Sequence, residues 1–125
     1  MNDLQRLKFL SNIVENTEES EFVIKNLKNK TLENPSFREV VKTLTKIQVV
    51  VMTIAVGGKI DKEVHEDGDQ LLYVMQGQAK VEVDNQKSSA YAGDCIAIPM
   101  GAVHEIVNGG ETELKLMVFY APPQH

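Results

Sequence analysis

The spacing of apolar positions changes near residue 37. Before it, Leu4, Leu7, Leu10, Ile13 and Val14 recur at the interval of one helix face, with Asn2 or Asp3 available as a cap. This predicts a short amphipathic helix over residues 2–15. The polar, acidic residues 16–21 end it. Residues 22–34 read two ways: Phe22-Val23-Ile24 suits a strand, while Ile24, Leu27 and Lys28 suit a short helix. Asn34-Pro35-Ser36 is turn chemistry. From Phe37 onward, short runs of aliphatic and β-branched residues alternate with Gly, Asp and Asn. Strands are expected at 38–43, 46–55, 60–65, 70–76, 79–84, 88–91, 94–98, 102–107 and 113–120. Many short strands with regular turn signals indicate an all-β sandwich or barrel.

Alternation also assigns faces, because successive strand residues point to opposite sides. If Gln70 points inward, so do Leu72 and Val74, while Leu71, Tyr73 and Met75 point outward. Two runs are apolar on both faces. In 46–55, Ile47, Val49 and Val51 oppose Val50, Met52 and Ile54; in 113–120, Leu114, Leu116 and Val118 oppose Met117 and Phe119. Strands of that kind are covered on both sides. The expected cover is a second subunit in a homodimer, with residues 1–36 as the other candidate. The chain is thus read as an N-terminal extension (1–36) and a barrel domain (37–125).

The 125 residues form one domain, long enough to bury a core unaided. A net charge of −5 argues against nucleic acid and anionic membrane as partners. The single cysteine, Cys95, excludes an intrachain disulfide and fits a reducing compartment; its apolar neighbours suggest a small core residue. No run approaches the length of a membrane span, and the first residues lack the continuous apolar stretch of a signal peptide. A cytoplasmic location is therefore expected.

Two stretches carry candidate chemistry. In residues 57–77, Glu63 and His65 share a strand face, Asp67-Gly68-Asp69 reads as a reversal, and Gln70 opens the next strand. This predicts a hairpin with three ligand-capable side chains on one face. Residues 93–108 add His104, on a strand leaving a Pro99-Met100-Gly101 turn. Glu66, Asp67 and Asp69 are read as a solvated tip, and His125 as a free terminus.

Together these stretches resemble the two motifs of the cupins. Gly93, Pro99, Gly101, His104 and Asn108 meet every fixed position of the second motif, G-x5-P-x-G-x2-H-x3-N. Gly57, His65 and Gly77 fit the first, G-x5-H-x-H-x3–4-E-x6-G, but Glu63 replaces its first histidine and Gln70 its glutamate. The likeness is to small single-domain cupins with E-x-H-x4-Q, often labelled mannose-6-phosphate-isomerase-like. It implies a double-stranded β-helix, a jelly-roll barrel, and a divalent metal held by Glu63, His65, Gln70 and His104. Two histidines and one carboxylate suit Fe, Mn, Ni or Zn. Gln70 would be a fourth ligand or orient a bound water or substrate oxygen. Glu63, if it were not a ligand, would serve as general base. The functions implied are a metal-dependent oxygenase of dioxygenase type or a sugar isomerase. The alternative is a non-catalytic, metal-free module binding a sugar or small acid.

Overall fold

The computed structural model describes residues 22–124. The helix expected at 2–15 and His125 lie outside the described residues. Among the described residues one helix, α1 (Leu27–Glu33), precedes nine strands. These are β1 (Glu39–Thr43), β2 (Gln48–Ile54), β3 (Lys59–Glu63), β4 (Asp69–Gln76), β5 (Gln78–Val83), β6 (Gln86–Tyr91), β7 (Cys95–Ile98), β8 (His104–Asn108) and β9 (Leu114–Ala121). All nine expected strands form. The ambiguous 22–34 segment resolves mainly as α1, whose Thr31 is buried and returns its hydroxyl to the Leu27 carbonyl at 2.7 Å.

The strands make two antiparallel sheets, β1-β2-β9-β4-β7 and β3-β8-β5-β6. Their inner faces form one core. Val50, Met52, Ile54, Leu72, Val74, Leu114, Leu116 and Val118 come from the larger sheet; Ile60, Ala79, Val81 and Ile106 come from the smaller. The expected alternation on β4 holds, with Gln70, Leu72 and Val74 buried and Leu71 and Tyr73 exposed. The jelly-roll expectation is met: opposed sheets bury period-two apolar faces against each other.

Three details depart from the sequence reading. The Glu63-to-Gln70 connection is not a hairpin. β3 pairs with β8 and β4 with β7 and β9, so residues 64–68 form a corner that passes from one sheet to the other. Turn residues signal that the chain bends, but not which strand pairs next. The β3–β8 register also shifts between Ile60 and Glu63, and the strand ends at Glu63, leaving His65 in the corner. Finally, Cys95 is exposed rather than part of the core. It opens edge strand β7, where Ile96 and Ile98 take the inward positions.

The outer face of β2 and β9 is buried: Val49, Val51, Thr53 and Lys115 all have little exposure. The chain following α1 lies on it. The Thr53 hydroxyl donates to the Asn34 carbonyl at 2.6 Å, and Lys115 Nζ donates to the same carbonyl at 2.7 Å. The extension thus fastens to the barrel at Asn34. Among the described residues, no helix is long and apolar enough to cross a membrane.

Candidate metal centre

The site is assembled from the first motif's corner and the start of β8. Two backbone N–H groups tie them together, one to a carbonyl and one to a carboxylate. Gly101 N–H donates to the His65 carbonyl at 2.8 Å, and Met100 N–H donates to Asp69 Oδ1 at 2.8 Å. Gly101 has φ +82, which a side chain at that position would oppose. At the far end of the second motif, buried Asn108 donates to the carbonyls of Ile54 and Thr112, both at 2.9 Å. Its Oδ1 accepts from Gly110 N–H. Asn108 is a fastener between loops. Asp69, read from the sequence as part of a solvated tip, is a brace between the two motif loops.

Glu63, His65 and His104 converge as expected. Their ligand-capable atoms all lie within 4.8 Å of one another. Glu63 pairs directly with His104 across the β3–β8 register. Glu63 Oε1 sits 3.3 Å from His104 Nε2 and 3.3 Å from His65 Nε2. The imidazole centroids are 5.3 Å apart. His104 is buried, with 1% of its side chain exposed, whereas 39% of the Glu63 side chain meets solvent. The group therefore has an inner wall and an open side.

Two contacts define its electrostatics. His104 Nδ1 lies 3.1 Å from the Ala102 carbonyl, an acceptor, so Nδ1 carries the proton in the neutral ring. The neutral ring then turns only a lone pair toward Glu63, so the 3.3 Å hydrogen bond between them is made by the protonated ring, with Nε2 donating. His65 Nε2, close to the same oxygen, is off hydrogen-bond geometry and has no hydrogen-bond partner. Hydrogen bonding with His104 holds the Glu63 carboxyl below its ordinary range, against the opposing effect of burial, and the charge of His65 adds to the lowering. Burial pulls His104 downward, but the Glu63 and Ala102 contacts and the charges of Glu63 and Asp84 outweigh it and hold His104 above its ordinary value.

Gln70 is buried on the inner face of β4, and its Oε1 has no hydrogen-bond partner. Its cross-strand neighbour on β9 is Tyr120, whose ring meets His65 edge-on at 5.6 Å. Tyr120 is a site residue that the sequence reading passed over, although its inward position follows from the alternation of Leu116 and Val118. Burial raises its phenol pKa, partly offset by Arg38, whose Cζ lies 5.7 Å from the ring centroid.

The orphaned His65 Nε2 and Gln70 Oε1, together with the lone pair of His104, make a donor set that fits a cation. Buried polar atoms are otherwise paired, and each unpaired one costs free energy. The composition suits a divalent transition ion. A cavity of about 190 Å³ borders His104 on the side of Lys62 and Asp84. Larger ones, about 440 and 410 Å³, lie beside β1 and against β5–β6, and contain none of the three residues. The donor atoms, rather than cavity size, mark this as a candidate centre.

Comparison with known proteins agrees with this fold. A family model described as the cupin domain matches residues 50–120. An uncharacterized protein of Bacillus subtilis, YrkC, is 34% identical over 110 residues, covering 83% of this chain and 59% of its own length. The chain therefore spans somewhat over half of that relative. An uncharacterized mimivirus protein of Acanthamoeba polyphaga, L612, is 32% identical over 111 residues, covering 86% of this chain and 69% of its own. The crystal structure of a Bacillus halodurans protein, BH2720, superposes with a TM-score of 0.81 at 37% identity, covering 85% of this chain and 84% of that one.

Proposed function

The chain belongs to the cupin family, and on that footing we propose that its barrel is a small-molecule site centred on one divalent transition metal. Glu63, His65 and His104 hold the ion, with Gln70 Oε1 as a weaker fourth donor. The observation that carries this reading is the convergence of the Glu63, His65 and His104 ligand atoms within 4.8 Å of one another, beside the unpaired His65 Nε2 and Gln70 Oε1. A divalent ion among them would satisfy those unpaired atoms and the Glu63 charge together.

A bound ion of this type supplies Lewis acidity, or a redox centre, to a chelating oxygen-bearing molecule. The protein's own residues do the rest. Leu72 and Val118, on the strands carrying Gln70 and Tyr120, keep water from the inner wall. Ala102 fixes the His104 tautomer. Gln70 presents an amide to a ligand oxygen, and Glu63, half open to solvent, is positioned to accept a proton where it is not bound to the ion. Oxygenation and sugar isomerisation both suit such a site, and the identity of the metal discriminates between them.

A metal-free binding module is the second reading. The raised pKa of His104 beside ionised Glu63 favours it, because a protonated imidazole also satisfies the carboxylate. Edge strand β1, last in its sheet among the described residues, with exposed Phe37, Val40 and Leu44 on or beside it, supports a homodimer.

Elemental analysis of tag-free protein tests the first reading. Near one equivalent of transition metal per chain, lost in His104→Ala, supports it. Protein that takes up no Fe(II), Mn(II), Ni(II) or Zn(II) on reconstitution refutes it in favour of the metal-free module.

A further inference from the structure

Arg38 stands immediately before β1, and its guanidinium lies over the face of Tyr120, whose ring in turn meets His65. One aromatic ring therefore separates a permanent positive charge from the donor cluster. Arg38 is oriented from a second direction by the Gln124 carbonyl, which accepts from Nη2 at 3.2 Å. A guanidinium carries five N–H donors, and this contact uses one. Among the described residues, no carboxylate pairs with Arg38, although Lys59 and Lys115 each have an acidic neighbour. Arg38 is exposed, so its remaining donors are accessible from solvent.

The charge balance points the same way. Glu63 is the one carboxylate in the donor cluster. With a divalent ion in place the cluster is net positive, and Arg38 adds a second positive charge at its edge that no described carboxylate pairs with. A neutral sugar would leave both charges to water. A ligand with an anionic oxygen group would meet them, and the planar fork of arginine matches carboxylate and phosphate geometry. Tyr120, amphipathic and buried, supplies the apolar surface between the two charges.

We propose that Arg38 and Tyr120 form an anion-recognising rim to this site, so that its small-molecule ligand carries a carboxylate or phosphate group. The inference rests on reading Glu63, His65 and His104 as the centre at which that ligand is bound. Arg38 selects the ligand's charged end, and Tyr120 holds Arg38 in place.

The test is calorimetric titration of metal-free and Mn(II)-reconstituted full-length protein with acetate, pyruvate and methyl phosphate, and with acetamide and pyruvamide as neutral counterparts. Wild-type protein should prefer an anion over its neutral counterpart, and the better of the carboxylates or the phosphate assigns the group. Arg38→Gln should reduce anion affinity about tenfold or more, as expected on losing a charge-assisted contact. Arg38→Lys, which keeps the positive charge, should restore part of it. Equal binding of anion and amide by wild-type protein overturns the proposal. So does full anion preference in Arg38→Gln, or no anion binding by either form. If wild-type protein takes up no metal, the metal reading fails by itself, and the metal-free titration still decides the rim. There, an Arg38-dependent preference supports it, and its absence overturns it.

Discussion

Leu116 and His104 are almost equally hidden from solvent, at 0% and 1% exposure, yet the two ends of the barrel interior they occupy are in different conditions. Leu116 is in register with Met52 and Val74 and shares one core with Leu72, Ile54 and Ile106, which ask only for close packing. Around His104 the interior turns polar, with Glu63, His65, Gln70 and Tyr120. There, burial leaves His65 Nε2 and Gln70 Oε1 without partners. The apolar end is complete as it stands, whereas the polar end keeps unpaired atoms that the proposed metal would satisfy. Stability and function are therefore separable along the barrel, and substitutions should divide accordingly.

The largest effect expected is from His104→Ala, which should lower affinity for Zn(II) or Mn(II) by about a hundredfold or more, since even residues that merely orient metal ligands are worth up to that factor. Metal analysis after dialysis reads this, and circular dichroism should report a folded barrel. Leu116→Ala should do the reverse. It should cost about 2–5 kcal/mol of unfolding free energy, as large-to-small core changes do, while metal per folded chain stays unchanged. If each variant altered both properties equally, the distinction between the two ends would collapse. Lys115→Ala, on the outer face, should cost about 1–3 kcal/mol, because the Asn34 carbonyl and Thr53 hydroxyl lose a buried donor. Denaturant unfolding would read that loss, with no change in metal affinity.

Acidity should separate metal-free from metal-loaded protein. In the metal-free form, the lowered Glu63 pKa contributes stability that is fully present above the unfolded value of 4.5 and is lost as pH falls through the folded one. The raised His104 pKa contributes stability that is fully present below the unfolded value of 6.5 and is lost as pH rises through the folded one. The pair therefore stabilises most between those two values. Metal binding has the opposite slope on the alkaline side, since protons compete for His104 Nε2. Thermal melts across pH should show metal-induced stabilisation growing as metal-free stability declines. A constant gap between the two curves would contradict this. The smallest effect expected is from Gln70→Glu, which should tighten divalent-ion binding roughly fivefold, about 1 kcal/mol, by adding a negative charge. Unchanged or weaker binding would remove Gln70 from the donor set.

Much of this was readable in the chain. Period-two alternation gave the strands and the inward set Gln70, Leu72 and Val74, because side-chain facing is a local property. Fixed spacings brought Glu63, His65 and His104 together. Which sheet each strand joins is non-local, and there the hairpin expectation at residues 67–69 failed. Arg38 and Tyr120 escaped notice for the same reason. They are far apart in sequence and meet only because the strand order places β1, β2 and β9 side by side. Asp69 escaped because its role is to accept a backbone N–H from a loop that precedes β8.

The position of Tyr120 also has an optical consequence. The chain contains no tryptophan and three tyrosines, so its ultraviolet emission comes from tyrosine alone. Tyr73 and Tyr91 are exposed on the outside of the barrel, while Tyr120 stands against His65. A paramagnetic ion captured beside His65 would quench that inner emitter and leave the outer two bright. The unmodified protein thus carries its own dye at the mouth of the barrel, and occupancy can be followed as a partial dimming.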